Sequence, residues 1–248
     1  MPAGRFVAHG LTLSPGAQLD LPDEIAHQVR SVLRMAVGDS VTLLDGHGGE
    51  YPAEVVAMDR KRMAVRTGAR AEGLAGLSPP ITLCLGLIKP ARFEMALQKC
   101  TELGVSAFLP LMTERSQPVA EVTGEARRRR WQSIVSEAIE QCGASYLPAL
   151  GEPMALGDAL ASRPAGTLDV LAWEGAHGLT IGQAVAQAGQ ISAVRVFIGP
   201  EGGFSAAEGQ VAAAARARLV TLGSRILRAE TAAIVACALA IAASGGGM

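Results

Sequence analysis

Val194 to Ser205 reads VRVFIGPEGGFS, and the change of character inside it decides the fold. Val194 to Ile198 is an apolar, largely β-branched and aromatic run of strand length. Gly199-Pro200-Glu201-Gly202-Gly203 then breaks it, because glycine adopts turn conformations at little cost and lets backbone approach a ligand closely. The same grammar recurs where the run Leu219 to Leu222 meets Gly223. Working outward, Ile81 to Leu87, Val105 to Leu109 and Leu168 to Trp173 are further strand candidates separated by helical stretches. Such alternation predicts an α/β domain with a parallel sheet and helices on both of its faces. Glu125 to Cys142 is the clearest helix: Trp131, Ile134, Val135, Ala138, Ile139 and Cys142 form one apolar stripe, with the arginines mainly off it.

Upstream the period changes. Arg5 to Ala8, Ser40 to Asp45, Tyr51 to Met58 and Met63 to Arg66 are short β-type runs, with Gly46-His47-Gly48-Gly49 as a turn between two of them. One helix is expected within Pro22 to Arg34, burying Ile25, Val29, Val32 and Leu33 and leaving His27, Arg30 and Arg34 on the open side. Ala71 to Pro80 (AEGLAGLSPP) has linker composition. The expected division is therefore a β-rich unit over 1–72, a linker over 73–80 and the α/β domain over 81–244.

The 248 residues, 49% hydrophobic and 18% charged, describe a chain with a sizeable core rather than a disordered one. A net charge of -1 excludes a protein whose whole surface clings to nucleic acid or anionic membrane, so any RNA contact must be local. Cys84, Cys100, Cys142 and Cys237 form no CxxC pair, which indicates neither a zinc site nor a disulfide framework, and a cytoplasmic location is expected. No metal is expected. No signal peptide is read in Met1 to Gly10, and the most apolar run, Ala232 to Ala243, is too short to span a bilayer. Ser244 to Met248 reads as a flexible tail.

In open α/β sheets, ligands settle outside the carboxyl ends of the strands, so the two glycine turns are where chemistry is sought. Ser205 and Glu208 read as the capping box of the next helix, which leaves Pro200, Glu201 and two consecutive glycines without a structural duty. Arg228 and Glu230 open the last helix; on spacing alone they are a solvated charge and a first-turn acid facing the helix dipole. There is no GxxxxGK[ST], no GxGxxG after a strand and no HExxH. Gly203 to Ala207 has the look of a nucleophile elbow, but the last histidine is His177, so the chain order of a hydrolase triad is not met.

Together, IGPEGGFSAAE (Ile198 to Glu208) and LGSRILRAETA (Leu222 to Ala232) resemble the bacterial 16S ribosomal RNA uracil-N3 methyltransferases. The resemblance runs on through Lys89, Arg92, Glu94, Lys99 to Val105, Thr113 to Ser116, Arg130-Trp131 and Glu137 to Gly143. It reaches the N-terminal unit at His27, Val32-Leu33-Arg34, Gly38-Asp39 and Asp45-Gly46. It implies a small PUA-like β-barrel that binds RNA, followed by a SPOUT domain whose chain is tied in a trefoil knot around S-adenosyl-L-methionine. It further implies a homodimer acting on one uridine of 16S rRNA in the small ribosomal subunit, with no membrane partner. By motif position, Gly199, Pro200, Glu201, Gly202, Leu222, Gly223, Ile226, Leu227 and Arg228 become cofactor residues, joined by Trp173 and Glu174. His27, Arg30, Arg34, Lys89, Arg92 and Arg115 become RNA-binding candidates. Where the family usually carries an arginine after Glu-Gln-Cys/Ser-Gly, this chain has Ala144.

That chemistry is demanding at one atom. Uracil N3 is protonated at neutral pH, so attack on a methyl donor needs a base, a cation beside O2 or O4, or both. Glu230 is the candidate base and Arg228 the candidate anion stabiliser. Local charge adds two candidate phosphate contacts, the cluster Arg60, Lys61, Arg62, Arg66 and Arg70 and the run Arg127 to Arg130, with a solvated charged face as the alternative for each. Two other readings stay open: a knotted methyltransferase acting on another RNA such as tRNA, and a noncatalytic RNA-binding or assembly factor.

Overall fold

The computed structural model describes residues 4–59, 62–118 and 124–245. The chain forms two compact units, Met1–Gly76 with Ser136–Leu147, and Leu77–Val135 with Pro148–Met248.

The first unit is a six-stranded sheet of β1 (Arg5–Val7), β2 (Gln18–Asp20), β3 (Ser40–Leu44), β4 (Gly49–Met58), β5 (Met63–Thr67) and β6 (Ala71–Glu72). Its order is β1-β3-β4-β5-β2, with β6 on β4, and every pairing is antiparallel except β1 with β3. In β4, Tyr51, Ala53 and Val55 are buried while Pro52 and Glu54 are exposed, the period-two signature of a half-buried strand. They join Phe6, Val41, Leu43, Met63 and Val65 in one core, closed by Ala26 and Val29.

The expected helix is cut short. α1 covers only Asp23–His27 and continues as a π-helical turn over Gln28–Val32, after which Arg34 takes a left-handed backbone at φ 55°. The wider π turn rotates later residues off the core side. Val29 is fully buried, whereas Val32 and Leu33 are 68% and 44% exposed, against the expectation that both face inward.

Ser136–Leu147 belongs to this unit through hydrogen bonds. Arg5 donates to both carboxylate oxygens of Glu50 at 3.0 and 2.8 Å and to the carbonyl of Ala144 at 3.1 Å. Ser145 donates to the same carboxylate, and the Val7 amide donates to Glu140 at 2.9 Å. Position 144 thus works here through its main chain. The Arg5 hydrogen bonds, against the opposing effect of burial and with help from Ser145, hold the Glu50 carboxyl below the usual range. A lowered folded pKa gives stability that is present above the unfolded carboxylate pKa and lost as pH falls through the folded one. Acid titration of this unit, followed by circular dichroism, is expected to show that loss, and Glu50→Gln is expected to remove it.

The second unit is a seven-stranded, wholly parallel sheet: β7 (Ile81–Gly86), β8 (Ala107–Met112), β9 (Ala149–Leu150), β10 (Met154–Ala155), β11 (Thr167–Ala172), β12 (Ala193–Ile198) and β13 (Arg218–Val220). The order is β10-β8-β7-β12-β11-β13, with β9 on β8. Among the described residues the helices are α2 (Pro90–Glu102), α3 (Glu125–Cys142, whose residues from Ser136 on belong to the first unit), α4 (Leu156–Ala161), α5 (Ile181–Ala188), α6 (Ala206–Ala214) and α7 (Ala229–Ala243). On one face Cys84, Leu171 and Phe197 pack with Leu156 and Leu160 of α4, Ala212 of α6 and Phe204. On the other, α7 lies against β7 and β12 between α2 and α5. The parallel α/β domain expected from the alternating pattern is therefore observed.

Within that first face sits a charge pair. Arg195 is 7% exposed and Asp169 fully buried; Arg195 Nε and Nη2 each donate to one Asp169 oxygen at 2.7 Å, and Nη1 donates to the Ala159 carbonyl at 2.7 Å. The guanidinium also lies over the Phe197 ring, 5.2 Å from its centroid. Each of the three guanidinium nitrogens donates a hydrogen bond, two of them bidentate to the carboxylate, which is what makes a buried ion pair tolerable. Asp169→Asn leaves the guanidinium buried without its counter-charge and is expected to lower stability by about 3 to 5 kcal/mol, measured by urea unfolding.

Among the described residues no helix is long and apolar enough to cross a membrane, and no cluster of three or more metal-ligating side chains occurs.

Candidate active site

All seven strands point the same way, so their carboxyl ends share one edge. β12 is inserted between β7 and β11, strands that precede it in the chain, and this makes a switch point in the strand order. A crevice opens at such a point because the flanking connections diverge. The turns that meet there follow β11 (Trp173, Glu174), β12 (Gly199 to Gly203) and β13 (Thr221 to Arg228). They enclose a cavity of about 370 Å³ together with Arg92 of α2 and Ala229 and Ala232 of α7. This volume is of the order of a small-molecule site.

Glycine shapes the central loop at two points. A Cβ on Gly86 would stand 2.6 Å from the Pro200 nitrogen, so the end of β7 reaches the loop only without a side chain. Gly203, at φ 67°, closes the loop with its amide donating to the Pro200 carbonyl at 2.9 Å. After the loop, the expected capping box is present: Ser205 accepts from the Glu208 amide at 3.2 Å, and Glu208 accepts from the Ser205 amide at 2.9 Å. Trp173 forms a wall, its Nε1 donating to the Phe204 carbonyl at 3.2 Å.

The structure brings Trp173, Glu174, Gly199, Pro200, Glu201, Leu222, Gly223, Ile226, Leu227 and Arg228 to the cavity wall. Gly202 lies in the same loop with its carbonyl turned to Arg115, which donates from Nη1 at 2.8 Å. Glu201 accepts from the Lys89 amide at 3.2 Å and from Arg92 Nη1 at 3.5 Å, so three of the RNA-binding candidates gather beside the loop. Glu230 is not on the cavity wall. It is 7% exposed in the first turn of α7, and its Oε2 finds no hydrogen-bond partner among the described residues. Sequence reasoning did not single out Ser224, Arg225 or Phe204, which also line the cavity; all three fall inside the two motif segments, and only the path of the chain there reveals them.

His27, Arg30 and Arg34 lie in the other unit. His27 is in contact with Ser31 at 3.3 Å, and Arg30 Nε is buried without a partner among the described residues. Of the basic cluster, Arg60 and Lys61 fall outside the described residues; Arg62 pairs with Asp20, and Arg70 with Glu72 and Asp45. The run at the start of α3 is equally committed: Arg127 and Arg130 to Glu94, Arg128 to Glu152 and Arg129 to Glu125. These pairings favour the solvated, ion-paired face for Arg62, Arg70 and the run 127–130.

What the cavity offers is main-chain N–H and C=O groups in glycine turns, an aliphatic and indole wall from Leu222, Ile226, Leu227 and Trp173, and guanidinium groups at Arg92, Arg225 and Arg228. Such a lining suits a ligand with a flat heterocycle and several polar groups. A parallel α/β domain with a ligand cavity at its switch point is the class that this defines. Residues 77–241 match the RNA methyltransferase domain, and residues 21–67 match the RNA methyltransferase PUA domain. The chain belongs to this RNA methyltransferase family, as the sequence resemblance implied. It is 34% identical to the ribosomal RNA small subunit methyltransferase E of Synechocystis sp. over 94% of this chain and 77% of the relative. The crystal structure of a ribosomal RNA small subunit methyltransferase E from Neisseria gonorrhoeae, bound to S-adenosyl methionine, superposes with a TM-score of 0.86 at 31% identity, covering 96% of this chain and 97% of that one. A Legionella pneumophila protein in complex with the bound cofactor is similar with a TM-score of 0.85 at 30% identity, covering 98% of each chain.

Gly86→Ala forces a methyl group against the Pro200 backbone, which cannot yield as a flexible side chain would. It is expected to destabilise the second unit by about 1 to 3 kcal/mol, measured by chemical unfolding, and to accelerate amide exchange in 199–204.

Proposed function

We propose that the protein transfers the methyl group of S-adenosyl-L-methionine to N3 of one uridine of 16S rRNA in the small ribosomal subunit. The observation that carries this reading is the cavity, which assembles both motif segments, Ile198 to Ser205 and Leu222 to Ala232, at one switch point. The cofactor-bound relatives, which match over nearly the whole chain, support it.

The residues present fit that cofactor. Gly199, Leu222, Gly223 and Leu227 would hold it through main-chain groups, with Trp173, Ile226 and Leu222 as the apolar part of the wall. When bound, S-adenosyl-L-methionine supplies an electrophilic methyl on a sulfonium, so this chain's work is alignment and management of the acceptor proton. Arg228, exposed at the N-cap of α7 and on the cavity wall, stabilises charge developing on a uracil oxygen. Glu230 takes the N3 proton. Its Oε2 is buried without a donor among the described residues and lies off the cavity wall, so this role requires the first turn of α7 to open when RNA binds. RNA binding is assigned to the PUA-like barrel over 1–72, through His27, Arg30 and Arg34, with Lys89 and Arg92 at the mouth of the SPOUT domain over 81–244, beyond the linker 73–80. The trefoil knot, the homodimer and the cytoplasmic location belong to the same reading. α7 supports the dimer: it is apolar on every side, yet Leu239 is 46% exposed on it.

The test incubates the protein and labelled cofactor with unmodified small subunits, free 16S RNA and tRNA, and maps the product. Label at N3 of a single 16S uridine is expected; label on tRNA, or no cofactor binding by folded protein in calorimetry, overturns the reading in favour of another RNA or a noncatalytic factor. Glu230→Gln is expected to lower kcat about 100-fold or more with cofactor affinity intact, and wild-type turnover would remove the base assignment.

A further inference from the structure

We propose that Arg115 is a positioning residue that holds the glycine-rich loop 199–203 in its ligand-ready shape, rather than an RNA contact. The inference rests on the reading of the cavity as the S-adenosyl-L-methionine site. A loop containing Gly199, Gly202 and Gly203 has a large conformational freedom to lose, and its three glycines have no side chains with which to fix it. Its shape has to come from outside. One anchor is the carboxylate of Glu201 on the Lys89 amide and Arg92.

The second anchor is the turn after β8. Arg115 Nη1 donates to the Gly202 carbonyl at 2.8 Å, a charge-assisted bond. Its stem lies along the loop as well: a Cβ on Gly202 would meet Arg115 Cδ at 3.1 Å and Cβ at 3.2 Å. The neighbouring Glu114 amide donates to Glu208 Oε1 at 2.9 Å, while the other oxygen of Glu208 caps α6. Two consecutive residues thus grip both ends of the segment 202–208. The turn that carries them is itself fixed, for the Thr113 amide donates to Ser116 Oγ at 3.1 Å and the Gln117 amide to the Leu87 carbonyl at 2.9 Å. With Nη1 on that carbonyl and its stem along the loop, Arg115 is held in one orientation although its side chain is exposed.

The test compares wild type, Arg115→Ala and Arg115→Lys. Amide exchange of 199–204 in the absence of cofactor is expected to rise about fivefold or more in Arg115→Ala, and cofactor affinity to fall by about ten- to a hundredfold, the size of one hydrogen bond to a charged group. Arg115→Lys, which can still donate to the Gly202 carbonyl, is expected to recover most of both. Affinity for 16S RNA and its salt dependence should not move. Unchanged loop exchange and cofactor affinity in Arg115→Ala overturn the proposal, as does a selective loss of RNA affinity with a salt slope smaller by about one, the mark of a lost phosphate contact. If wild type binds no cofactor, the reading of the cavity fails, and the exchange measurement still decides the positioning role.

Discussion

The contact between Gly86 and Pro200 is the constraint on which the site depends. β12 arrives late in the chain, yet it must lie between two strands already laid down, and its following loop must cross the end of β7. That crossing leaves no room for a side chain at Gly86. Because the crossing is so close, the loop is drawn beside the N-terminus of α2, where Glu201 meets the Lys89 amide and Arg92. The cavity wall, the loop tethers and the capped start of α6 follow from where that backbone is forced to lie.

A division of labour results. The walls are mainly backbone and aliphatic surface, rigid because the strands beneath them are buried on both faces. The charged groups sit at the rim on short tethers. A preorganised wall with adjustable charges at its mouth is the arrangement expected of a group-transfer site, where the donor must be held still and the acceptor arrives as part of something much larger.

Much of this was legible in the sequence, for a physical reason. Buried parallel strands leave continuous apolar runs, and glycine turns leave unmistakable punctuation, so Val194 to Gly203 announced both a strand and a site. The capping box of Ser205 and Glu208 was readable because its chemistry is local. What escaped the sequence is non-local or conformational. Nothing in Gln28 to Val32 distinguishes a π turn from an α-helix, so Val32 and Leu33 looked like core. The strands β9 and β10 are too short to leave a pattern. Arg115 was an RNA-binding candidate and Glu114 carried no role, because only the fold brings them to Gly202 and Glu208, and the arginines of α3 were candidate phosphate contacts because the sequence does not show Glu94 and Glu152 beside them.

The buried pair of Asp169 and Arg195 has a consequence for how the sheet is assembled and inherited. The two residues are direct register partners on β11 and β12. A slip of one residue would turn one charge to the opposite face and strand both away from water, so the pair acts as an alignment key for strands whose apolar neighbours are interchangeable. In descent, such a key resists change at either position singly. Positions 169 and 195 are therefore expected to drift through homologues as a linked couple, exchanging together for another matched pair or for two apolar residues.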